Sequence, residues 1–116
     1  MEVDYKAGKP ARIDGTVAFL VAVEIDSRVA KQVRGAVLDL ICHPYRKKLL
    51  VLIPAHMSNV DITAQQCRII LDRFVGSEHF RVVVLRGTGN FPQLEGDVEA
   101  VKSSLIELGW NPGGDV

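Results

Sequence analysis

The sequence predicts a single α/β domain spanning residues 1–116, with a mixed sheet sandwiched by helices, on three observations. Two short, continuous apolar runs, KKLLVLIPA at 47–55 and HFRVVVLRG at 79–87, have the composition of strands buried on both faces. Segments with apolar residues at helical spacing stand before, between and after them. A longer apolar stretch, RIDGTVAFLVAVEIDSR at 12–28, leads into the first helix. Strands that alternate with helices pair in parallel through right-handed crossovers, and a chain of this length supports one core.

Residues 1–10, with Gly8 and Pro10 and few apolar positions, read as an arm or a short edge strand. If residues 12–26 formed one strand it would be about 50 Å long, against a usual length of roughly 17 to 20 Å, so the segment must bend. A hairpin centred on Phe19 makes two strands of it and sets Asp14 opposite Glu24. Glu24 and Asp26 then share one face, because side chains alternate along a strand. The turn holds Val17, Ala18, Phe19 and Leu20, none of them the Gly, Asn or Asp that tight hairpins favour, so a wider turn or a bulge is expected. The competing reading of the same residues is one parallel strand and a loop, as a flavodoxin-like small-ligand domain would have.

Residues 27–43 carry Val29, Val33, Val37, Leu40 and Ile41 at helical spacing, with Ser27 or Asp26 available as cap and Pro44 as stop. A second helix is expected over SNVDITAQQCRIILDRF, with Ile62, Ile69, Ile70 and Phe74 on one stripe. The last helix runs from about Glu95 to Leu108 and ends at Gly109.

The 14 basic and 14 acidic side chains cancel, which gives no global attraction to nucleic acid or an anionic membrane. No apolar run approaches the roughly 20 residues of a membrane helix, and the polar N-terminus lacks a signal-like core. Cys42 and Cys67 lie in helix-like segments without metal-ligand spacing, so both are expected as buried reduced thiols in a cytoplasmic protein. His43, His56 and His79 show no site-forming spacing, and Gly87-Thr88-Gly89 lacks the rest of a dinucleotide fingerprint.

The chemistry concentrates in the acids of the opening stretch. Three carboxylates, Asp14, Glu24 and Asp26, converging at a sheet edge repel one another unless a cation neutralises them, and hard oxygen ligands suit Mg²⁺ or Mn²⁺. Such an ion polarises a phosphodiester and lowers the pKa of bound water. Asp14-Gly15, the apolar strand into Val23-Glu24-Ile25-Asp26, and the helix that follows directly resemble the core of the restriction-endonuclease-like nucleases, the PD-(D/E)XK superfamily. The matching order of hairpin, helix, strand, helix, strand covers roughly residues 11–88.

That resemblance implies Mg²⁺-dependent DNA cleavage with Asp14 and Glu24 as metal ligands. Asp26 takes the third signature position, as ligand or base, where the family usually has Lys. Lys31 and Gln32 on the helix would act near the scissile phosphate, and Arg28, Arg34, Lys47 and Lys48 would contact the DNA backbone. So small a unit would act as a homodimer or be recruited by a larger partner. The alternative, favoured by the missing Lys and the neutral charge, is a non-catalytic nuclease-like α/β module that binds DNA or a protein.

Overall fold

The computed structural model describes residues 2–3, 11–27, 30–54, 59–87 and 94–113. Two short strands come first, β1 (Glu2–Val3) and β2 (Ala11–Arg12), paired antiparallel. The body follows as β3 (Gly15–Val17), β4 (Val21–Asp26), α1 (Ala30–Cys42), β5 (Lys47–Leu52), α2 (Val60–Phe74), β6 (Phe80–Val84) and α3 (Leu94–Glu107). The four-stranded sheet has the order β3-β4-β5-β6, with β3 antiparallel to β4 and the remaining pairs parallel. It is the mixed sheet the sequence predicts.

Gly15 pairs with Val23, Thr16 with Ala22 and Val17 with Val21, so the hairpin is centred on Phe19. The flavodoxin-like alternative, which requires a single parallel strand here, is thereby excluded. The turn is wider than a two-residue hairpin, as expected: Val17 pairs with Val21, which leaves Ala18, Phe19 and Leu20 as a three-residue loop. Leu20 N–H donates to Val17 O at 2.9 Å, and Ala18 and Phe19 sit at φ +53° and +54°. Positive φ at both central positions is what a type I′ turn demands, and its twist matches that of paired strands. Here two L-residues adopt it without the usual Asn-Gly, at a cost on the order of 1 kcal/mol each.

Alternation along the strands divides the interior in two. Ala22, Leu50, Leu52, Phe80 and Val82 face Val33, Val37 and Leu40 of α1 and Ala64, Cys67 and Leu71 of α2. Val21, Leu49, Val51 and Val83 point the other way, onto Leu105 of α3 and Leu108 just beyond it, with Trp110 against the edge of that cluster. Both β-α-β crossovers therefore place their helices on one face, and α3 covers the other. Every residue of β5 after Lys47 is buried, which explains why its sequence is a continuous apolar run with no alternation. Each fully buried Leu in it contributes roughly 1.5 to 3 kcal/mol through area removed from water.

The helix ends carry their own signals. Asn59 caps α2 by accepting from Ile62 N–H at 3.1 Å, and Gly76 at φ +95° closes it by donating to Leu71 O. At the end of α3, Gly109 N–H donates to Ile106 O and Trp110 N–H to Leu105 O, both at 2.9 Å. These are the paired bonds of a Schellman motif, and Gly109 supplies its left-handed residue at φ +109°. Cys67 is buried, as expected, and burial pushes its thiol up to about 11. Cys42 is exposed, contrary to expectation, because it falls on the outward side of the last turn of α1.

Candidate functional site

The open end of the β3-β4 hairpin joins two of the expected acids. Beyond Gly15 the regular ladder stops, and side chains take over the pairing. Asp14 N–H donates to Glu24 Oε1 at 2.7 Å, and Ile25 N–H donates to Asp14 Oδ2 at 2.7 Å. Each carboxylate thus accepts from the backbone of the opposite strand, and charge-assisted bonds of this length are strong. The arrangement follows from register, since the pairs above it place residue 14 across from residue 24.

Glu24 and Asp26 are both buried and share the α1/α2 face, next to Leu50 and Leu52 on β5. Glu24 is pushed up to about 7, chiefly by burial. The negative charges of Asp14, Asp39 and Asp26 push in the same direction, while the Asp14 N–H opposes them. Asp39 is the acid that sequence reading overlooks. It lies in α1 among apolar residues, and its pull on Glu24 depends on how the helix docks on the sheet, which no local pattern encodes. Its position in the otherwise apolar run VLDLIC was the available signal.

Of the basic candidates among the described residues, Lys47 and Lys48 make their hydrogen bonds away from these acids. Gln32 and Arg34 are exposed on α1, and Arg34 lines a shallow depression with Gln66, Ile69 and Ile70 of α2. Arg28 and the side chain of Lys31 lie outside the described residues, as do His56 and the Thr88-Gly89 part of the glycine loop. Gly87 N–H donates to Asp97 Oδ2 at 2.9 Å and Arg86 N–H to Asp97 Oδ1 at 2.7 Å, so these two residues are tied to the first turn of α3.

Lys47 belongs to the far end of the sheet. Its Nζ donates to Glu78 O at 3.3 Å and lies 3.1 Å from His79 Nδ1. Lys48 is only 3% exposed and its Nζ donates to His43 O at the C-terminal end of α1. A side chain so placed satisfies a helix-terminal carbonyl and is too buried to track an extended DNA backbone across the surface.

Comparison with family models, with characterised proteins and with solved structures gives no match. The site must be read on its own chemistry. Among the described residues no group of three or more His, Cys, Asp and Glu side chains has the geometry of a metal site. No described helix is long and apolar enough to cross a membrane. In this geometry Asp14 and Glu24 close the hairpin where backbone pairing ends, and burial raises the Glu24 pKa toward neutral pH.

The outward surfaces of α1 and α2 differ in character from that polar junction. Leu38, Ile62 and Ile69 are each at least half exposed. Ile62, Gln66 and Ile69 follow one another at helical spacing, and Leu38 stands one turn beyond Arg34.

Proposed function

We propose that the chain is a non-catalytic, nuclease-like α/β module that binds a protein partner through the outward faces of α1 and α2. The observation that carries this reading is the exposure of Leu38 on α1 and of Ile62 and Ile69 on α2, together with the depression that Ile69 lines with Arg34, Gln66 and Ile70. Exposed aliphatic side chains grouped on adjoining helices mark interaction surfaces, whereas single ones need no explanation. Arg34 and Arg73 are exposed on these same helices, and they favour an amphipathic partner segment with acidic side chains beside its apolar anchors.

A photo-crosslinking amino acid at position 69, in the full chain and its native host, tests the reading against the same probe at Glu99 on α3. A partner captured only from position 69, which binds the purified chain and loses at least tenfold in affinity with Ile62→Asp, supports it. Equal labelling from both positions, or a crosslink only to a second copy of the chain, overturns it.

The second reading, a Mg²⁺- or Mn²⁺-dependent DNA nuclease, is favoured by the pairing of Asp14 and Glu24, since each carboxylate has a second oxygen besides the one held by the backbone. Saturable Mn²⁺ binding, abolished by both Asp14→Asn and Glu24→Gln and accompanied by nicking of plasmid DNA, would move the assignment to it.

A further inference from the structure

A cavity of about 440 Å³ opens at the C-terminal ends of α1 and α2, and neither the hairpin acids nor Leu38, Ile62 and Ile69 line it. Its volume falls in the range of small-molecule sites, roughly 300 to 1,000 Å³. Its polar side chains are Lys48, Arg46, His43 and Tyr45, each able to donate a hydrogen bond. Its apolar walls include Ile41 and Phe74, and no carboxylate among the described residues lines it.

We propose that this cavity binds a small amphipathic oxyanion, a carboxylate or phosphate monoester carried on a short apolar body. Three observations point there. Lys48 is buried at its lining and spends one ammonium hydrogen on His43 O, which leaves two more to donate. His43 Nδ1 accepts from Tyr45 N–H at 3.1 Å, so the neutral ring carries its proton on Nε2 and is a donor there. The ring is held edge-on to Tyr45, with centroids 4.9 Å apart at 88°, which fixes its plane. Burial lowers the Lys48 amine to about 8, still mostly charged at neutral pH, and lowers His43 from its ordinary value, chiefly by desolvation.

A cationic or donor-only ligand would leave these donors unmatched, and donors buried without acceptors are costly. An anion with an apolar tail satisfies them and covers Ile41 and Phe74. A bare anion covers neither. The inference is independent of the docking face proposed above, because neither Lys48 nor His43 belongs to it.

Amide shifts of the full chain, followed by NMR during titration with hexanoate, test it. The expected result is saturable binding, tighter than about 1 mM, with the largest shifts at Tyr45, Lys48 and Val75. Arg46→Gln at its exposed position should weaken binding at least threefold, and Lys48→Met, which keeps the buried stem, at least tenfold. Should Lys48→Met fail to fold, the Arg46→Gln result decides. Inorganic phosphate binding as tightly as hexanoate overturns the amphipathic assignment, and hexylammonium binding as tightly overturns the anionic one. Absence of saturable shifts, or affinities unmoved by Arg46→Gln, overturns the site itself.

Discussion

Glu24 is where residue chemistry reaches the stability of the whole chain. Its folded value of about 7 stands above the ordinary 4.5, so between those limits the folded state holds a proton that the unfolded state has released. Stability therefore falls as pH rises from about 4.5 to 7, by an amount on the order of 2 to 3 kcal/mol, and this contribution is flat above and below the window. Glu24→Gln keeps an oxygen for Asp14 N–H and removes the charge. Chemical denaturation of both proteins from pH 4.5 to 7.5 should show the variant gaining on the wild type by that amount. Parallel curves would mean that Glu24 titrates normally. Sequence alone marks Glu24 as an acid that is costly to bury, and the period of two puts Asp26 beside it. The contribution of Asp39 needs the packing of α1, and the mutual backbone capture of Asp14 and Glu24 needs their register to one residue.

At the scale of elements, the hairpin turn is the local misfit. Ala18 and Phe19 occupy left-handed conformations that Asn and Gly adopt more readily, and Phe19 is 85% exposed, so no packing rewards it. The double substitution Ala18→Asn with Phe19→Gly should stabilise the chain by about 1 to 2 kcal/mol in urea denaturation. A loss of stability would show that the ring at position 19 holds the turn together. The centre of this hairpin was legible from the distance between its acids and from the length limit on a strand. The turn type was not, because the sequence lacks every residue that normally announces it. Helices and central strands were legible for the opposite reason: α1, α2 and β5 have periodicity, caps and burial that agree. Their ends moved inward by a few residues wherever capping, as at Asn59, decides the boundary.

Across the whole molecule, protection should follow position in the sheet. β5 lies between two parallel partners with both faces covered, whereas β3 is short, half-buried and paired on one side among the described residues. Native-state hydrogen exchange should therefore find the slowest amides in Leu49 to Leu52 and much faster exchange, by tenfold or more, in Gly15 to Val17. Uniform rates would show that the sheet opens only as one unit. The parallel arrangement was predictable from the alternation of elements, but the separate pairing of β1 with β2 was not, since it joins two stretches too short and polar to signal strands.

The spatial order β3-β4-β5-β6 is also the order in which the ribosome makes them. Each new strand joins the outer edge of those already emerged, β4 through the hairpin and β5 and β6 each after its crossover helix, and none has to slip into a reserved inner place. Synthesis from the N-terminus can therefore build this sheet by accretion, with exposed apolar edges limited to the strand most recently made.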